Sequence, residues 1–306
     1  FIEPGDLIVV NTTRVLRARV AVRRPGGGDG EVLLLEPASD GWWTALCRPS
    51  RRMHPSTTVV AQRGSLAIEM GEVLADGRRM VRPVAPDSAS PQWLLDALDS
   101  SGEMPLPPYI GERLDDDDRY QTVFAERPAS AAAPTAGLHL TTDVIDRCRA
   151  TGARFASVEL VVGLDTFRPI DTDDVEAHPI HTESFEVPDH TWEAVQETRE
   201  RGGRVVAVGT TSVRSLETRA RTGASSGRTD LFITPGFEFA VVDVLLTNFH
   251  LPRSSLLALV QAFCGPHWRD LYAVALERGY RFLSFGDTSL LMRAGTSPVT
   301  GSEAAR

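Results

Sequence analysis

A chain of 306 residues that is 42% hydrophobic can bury a substantial core, and its formal net charge of −9 argues against indiscriminate binding to nucleic acid. All 32 basic residues are arginine, which excludes chemistry through a lysine Schiff base or a P-loop lysine. Cys47, Cys148 and Cys264 are odd in number and far apart, so neither a disulfide framework nor a zinc site is indicated, and no apolar run approaches the ~20 residues of a membrane span.

Phe1 is not an initiator methionine and an apolar run follows almost at once, so residues ahead of it are expected. The amino end FIEPGDLIVV has no basic region followed by a cleavage site, which points to the cytoplasm. From Asp6 to about Pro86 the pattern is one of short strands: DLIVVNTT, VLRARVAVRR, EVLLLEPA, WWTALCRP, TVVAQ, SLAIEMGEVL and RMVRPV. PGGGDGE, QRGS and ADGRR punctuate them as hairpin turns, which predicts a small barrel or sandwich. Arg14, Arg17, Arg19, Arg23, Arg24, Arg48, Arg51 and Arg52 fall in this region and are the best candidates for contact with an RNA backbone; a solvated face is the plainer alternative.

A helix is predicted over SPQWLLDALDSS, followed by PLPPYI and the acidic loop LDDDDRY. After Ala131 helices alternate with strands of the buried type: helix TTDVIDRCRATG, strand RFASVELVV, helix HTWEAVQETRERG, strand RVVAVG, helix TSVRSLETRARTG, strand AVVDVLLT, helices SSLLALVQAF and WRDLYAVALERG, and strand YRFLSFG. That alternation predicts an α/β domain with a largely parallel sheet.

Nucleotide-loop, metalloprotease and serine-hydrolase signatures are absent. His178 and His181 in HPIHTE suggest a metal, but in an extended chain an offset of three sends them to opposite faces. The candidate chemistry lies at strand ends. GTTSVRS follows a strand and opens a helix, so Thr210, Thr211 and Arg214 can form an anion site. APTAGLHLT is a small-residue loop that presents His139. TNFHLPRSS is a strand-to-helix turn in which Ser254 or Ser255 caps the new helix; it presents His250 where open α/β sheets usually bind ligands.

PLPPYI (105–110), YQTVFA (120–125), AAPTAGLHLT, IHTE (180–183), AVGTTSVRSLE (207–217), TDLFITPGFEF (229–239), VVDVLLTNFHLPRSSLL (241–257) and YRFLSFGD (280–287) occur in order, with PGDLIVVNTTRV near the start. Together they closely resemble the S-adenosylmethionine:tRNA ribosyltransferase-isomerase family of queuosine biosynthesis, over essentially the whole chain. The resemblance implies a large mixed α/β domain, residues 1–13 and 91–306, with a smaller β-barrel domain, residues 14–90, inserted in it. It implies transfer and isomerisation of the ribosyl part of S-adenosylmethionine onto a 7-aminomethyl-7-deazaguanine wobble base of tRNA, giving epoxyqueuosine and releasing adenine and methionine. S-adenosylmethionine is then a consumed donor, with no other cofactor and no metal, and the protein is expected to work as a cytoplasmic monomer. The sulfonium acidifies the neighbouring 5′-carbon, so the reaction needs a base in reach, and adenine leaves more easily beside a proton donor. His139, His181, Glu183 and His250 are the acid-base candidates; Arg14, Tyr109, Thr135, Gly137, Thr210, Thr211, Arg214, Asn248 and Asp287 are the expected substrate-binding residues.

Where the family reads LHVGxGTF this chain has LVVGLDTF, placing Val161 for histidine and Asp165 for glycine, and its NTTR has Thr12 for an acid. Val161 and Asp165 lead to the expectation that the usual tRNA is used poorly. Two further readings stay open on the sequence: a family member acting on another substrate, and a non-catalytic RNA- or nucleoside-binding paralogue.

Overall fold

The computed structural model describes residues 1–111, 114–162 and 182–295. In chain order it forms β1 (Leu7–Asn11), β2 (Thr13–Val15), β3 (Arg19–Arg23), β4 (Asp29–Pro37), β5 (Trp43–Arg48), β6 (Thr58–Ala61), β7 (Ala67–Val73) and β8 (Arg79–Pro83). There follow α1 (Trp93–Ser101), β9 (Arg127–Ser130), α2 (Thr142–Ala150), β10 (Arg154–Leu160), β11 (Glu183–Glu186), α3 (Asp189–Glu200), β12 (Val205–Val208) and α4 (Gly209–Thr222). The chain continues with β13 (Ser226–Thr229), β14 (Val244–Asn248), α5 (Ser255–Cys264), α6 (Trp268–Glu277) and β15 (Thr288–Met292). By packing it divides into one unit of Phe1–Asn11, Thr135–Glu159 and the described part of Pro169–Arg306, and another of Thr12–Pro134 with the described part of Leu160–Arg168. Residues 91–134 therefore group with the barrel, and not with the large sheet as the division near residue 90 has it.

The second unit is built on a closed barrel in the order β3-β4-β5-β8-β7-β6. Alternation puts Val20, Val22, Val32, Leu34, Ala45, Val59, Ile68, Met70 and Val81 inside, and α1 adds Leu98 to the same core. The run VLRARVAVRR, expected as one strand, is broken between β2 and β3. There Leu16 N–H donates to Ser130 O at 3.0 Å and Arg19 N–H to Glu103 O at 3.2 Å, so the chain leaves β9, its parallel neighbour, to enter the barrel.

The first unit carries a seven-stranded sheet in the order β13-β11-β10-β1-β12-β14-β15. The pairs β1/β10, β1/β12 and β12/β14 are parallel, whereas β14/β15 and β11/β13 are antiparallel. Every residue of β1 and β12 is buried, as expected of a parallel sheet covered on both faces, and α3 and α4 both pack on these strands. The step β12–α4–β14 is a crossover between neighbouring parallel strands, and it brings the carboxyl ends of β12 and β14 side by side.

Two expectations on this sheet are corrected. AVVDVLLT becomes a strand only from Val244, because the N–H groups of Ala240, Val241 and Val242 donate to the wholly buried carboxylate of Glu217 on α4, at 2.8, 3.0 and 3.0 Å. YRFLSFG is a turn and not a strand. Arg281 N–H donates to the Asp287 carboxylate at 2.7 Å, Asp287 N–H returns to Arg281 O at 2.7 Å, and Leu283 takes a positive φ of 71°. The last strand starts at Thr288 instead.

Candidate active site at the carboxyl edge of the sheet

Three elements of the first unit meet at the carboxyl ends of β12 and β14: the loop Thr135–His139, the first turn of α4, and the last residues of β14. Gly209 makes the strand-to-helix turn at φ 84°, a conformation that a Cβ strains. An added Cβ would also stand 3.5 Å from Ala136 Cβ and 3.4 Å from Thr211 Oγ1, so glycine lets the loop close onto the helix start. Thr210 and Thr211 are each 8% exposed in the first turn, where backbone N–H groups lack helical partners. The Thr211 hydroxyl is buried there with no hydrogen-bond partner.

On the facing side Asn248, the last residue of β14, is buried. Its Oδ1 lies 2.8 Å from His139 Nε2, and its Nδ2 donates to Thr135 Oγ1 at 2.8 Å. His139, Thr135 and Asn248 thus form one connected group, with Gly137 buried in the same loop. His139 itself is half-buried and keeps access to the surface.

His250 is buried inside its own turn. Its Nε2 is 2.9 Å from Thr247 Oγ1 and its backbone N–H donates to the Tyr272 hydroxyl at 3.0 Å. Burial pushes the imidazole down to about 4, so it is neutral at physiological pH. Burial also pushes the Tyr272 phenol up, to about 12. Phe249 points into a cluster with Tyr272, Tyr280 and Phe282 at ring-centroid distances of 5.2, 5.7 and 5.3 Å, while Leu251 is 48% exposed. Ser254 caps α5 by accepting from Leu257 N–H at 3.2 Å, as read from the sequence.

Glu183 and Arg214 partner each other in a buried ion pair. Arg214 also donates from Nε to Leu231 O at 3.0 Å. The anion site read from GTTSVRS is therefore reduced to its helix turn, and the Glu183 carboxylate is held by a cation. Asp287 closes the 281–287 turn. Arg14 and Tyr109 belong to the other unit, where Arg14 approaches Asp118 at 3.7 Å. Val161 is buried at 7% exposure and Thr12 at 5%. His181 and Asp165 lie outside the described residues, as does His178. Among the described residues no group of three His, Cys, Asp or Glu side chains is arranged to hold a metal.

The sequence reading overlooked two residues of this region. Glu217 orders the approach to β14, and Thr247 holds His250; the single acidic residue of the run TSVRSLETRARTG was the available signal for the first.

Residues 1–291 match the profile of a family described as "Queuosine biosynthesis protein". The chain is 48% identical over 299 residues to an S-adenosylmethionine:tRNA ribosyltransferase-isomerase of Synechococcus sp. (strain WH7803), covering 94% of this chain and 80% of the relative. It is 47% identical over 298 residues to the protein of that name from Rubrobacter xylanophilus, covering 97% and 85%. A solved structure, described as S-adenosylmethionine tRNA ribosyltransferase from Thermotoga maritima, is similar at 36% identity with a TM-score of 0.50, covering 95% of this chain and 84% of that one.

Proposed function

The chain belongs to this queuosine biosynthesis family and is a transferase and isomerase of ribosyl groups; from that premise we propose that the edge formed by His139, Asn248 and the first turn of α4 is where its donor and acceptor react. S-adenosylmethionine is the ribosyl donor and is consumed, and tRNA is the acceptor, in keeping with the names of the relatives. The acceptor group is the aminomethyl arm of the 7-deazaguanine at the wobble position, and the products are epoxyqueuosine in tRNA, adenine and methionine.

The observation that carries the assignment of the site is the hydrogen-bonded group Thr135, Asn248 and His139 beside a helix start with a buried, unpartnered Thr211 hydroxyl. A half-buried imidazole there can take the proton that the sulfonium acidifies, which needs only a base of modest strength within reach. The N–H groups of the first turn of α4 attract the methionine carboxylate or a phosphate. His250 serves the turn that holds Asn248 in place, and its neutral, enclosed ring supports the strand end instead of the chemistry. Arg14 and Tyr109 are kept as substrate-binding residues.

Incubation with S-adenosylmethionine and precursor-bearing tRNA, followed by mass spectrometry of the nucleosides, tests the reading. Epoxyqueuosine with stoichiometric adenine is the expected result. Adenine without modified tRNA would mean a different acceptor, the outcome favoured by the Val161 and Asp165 departures.

A further inference from the structure

The direction of each hydrogen bond in the Thr135, Asn248 and His139 group follows from the placement of the Asn248 amide, Oδ1 towards His139 and Nδ2 towards Thr135. A carboxamide oxygen only accepts, so with Asn248 Oδ1 at 2.8 Å from His139 Nε2 the ring nitrogen is the donor and carries the hydrogen. The other end of the amide is also engaged, since Nδ2 donates to Thr135 Oγ1 at 2.8 Å. A turned amide would accept from the Thr135 hydroxyl and donate to Nε2, so it is the placement of Oδ1 on the histidine side that sets the tautomer. The backbone of Asn248 is fixed, because the residue ends β14 and pairs with Thr288 of β15, and the side chain is 4% exposed.

A neutral imidazole has one N–H and one lone pair. If Nε2 holds the hydrogen, Nδ1 is the basic atom. We propose that Asn248 is a positioning residue that holds His139 as the Nε2–H tautomer, leaving Nδ1 as the atom that removes the proton from the carbon beside the sulfonium; this rests on the function proposed above. In that step the C–H bond breaks, its electron pair stays on the carbon next to the positive sulfur, and the proton forms a new N–H bond at Nδ1. The resulting imidazolium still donates from Nε2 to Asn248 Oδ1. Departing adenine takes the Nδ1 proton, which returns the ring to its starting state. Asparagine suits this role because it orients the ring without adding a charge, whereas a carboxylate would hold the imidazolium and oppose return of the proton. Asn248 thereby moves from the substrate contacts read from the sequence to the support of the base.

The test uses the full chain labelled with ¹⁵N in its histidines, with the His139 ring signals assigned by their loss in His139→Gln. The neutral ring of the parent protein should show the Nε2–H pattern of ¹⁵N shifts, read without substrate. Asn248→Ala should replace it by a mixture of tautomers and lower kcat by about 100-fold, the low end for loss of a positioned general base, with less change in KM for S-adenosylmethionine. Asn248→Asp keeps an acceptor for Nε2–H, so it should retain the tautomer; it serves as the test if Asn248→Ala fails to fold. An Nδ1–H pattern in the parent overturns the proposal. So does an Asn248→Ala variant that raises KM at unchanged kcat, the signature of a substrate contact. A parent protein with the Nε2–H pattern but no turnover of S-adenosylmethionine and precursor tRNA would count against the function and not against the tautomer.

Discussion

Glu183 and Arg214 face each other in a buried ion pair, their side chains 7% and 13% exposed, one at the start of β11 and the other one turn into α4. Burial pushes the guanidinium down to about 10, which still leaves it charged at neutral pH. Removing one partner takes the opposing charge away from the other in the interior, where breaking a buried ion pair is costly. Arg214→Met should therefore destabilise the protein by about 3–5 kcal/mol, and Arg214→Met with Glu183→Gln should recover much of that. Denaturant unfolding of the parent and the two variants checks it. A single Arg214→Met that unfolds at the parent midpoint would show that the pair carries no such weight.

His250 predicts an acid sensitivity with a defined sign. Its folded pKa of about 4 lies below the usual 6.5, so between those values the unfolded chain binds the extra proton. The contribution of the neutral ring is full above pH 6.5 and falls as pH drops towards 4, by roughly 3 kcal/mol in all. Thermal or denaturant unfolding across that window should be steeper for the parent than for His250→Gln. Equal pH slopes would mean that the ring titrates normally.

The barrel's arginines divide by their partners. Arg17 lies 3.1 Å from Asp117 and Arg19 3.0 Å from Glu31, whereas Arg48, Arg51 and Arg52 are exposed. Replacing the latter three by Gln should reduce the slope of log K against log salt for tRNA by up to about 2–3, since each neutralised phosphate accounts for about 0.7–0.9 of it. Filter binding over a salt series measures it, and a slope equal to the parent's would leave these residues as a solvated face.

The alternation of apolar residues revealed the barrel strands and the parallel core because burial imposes period two on a barrel wall and continuous apolar runs on a sheet covered twice. β12, α3, α5 and α6 fall where their periodicity puts them. What remained hidden depends on side-chain bonds to distant backbone. Val241 and Val242 look like strand residues, and only Glu217 removes their N–H groups from the ladder. YRFLSFG has the composition of a strand, yet the Asp287 carboxylate folds it into a turn. At the site, the small-residue loop and the strand-end polar residues were legible as types. Which of them touch was not: the pairing of His139 with Asn248 spans 109 positions, and that of Arg214 with Glu183 spans 31.

The three N–H groups gathered on Glu217 tie the last half of α4 to the segment that feeds β14. Neither element can open alone without leaving a buried carboxylate or the buried donors of Val241 and Val242 unmet, so the two should come apart only as one cooperative unit. In hydrogen exchange the amides of Ala240, Val241 and Val242, although outside any strand, would then share the slow rate of the sheet interior. The strand end that carries Asn248 is in this sense anchored from behind, and its stillness is set some distance away from the edge where it is used.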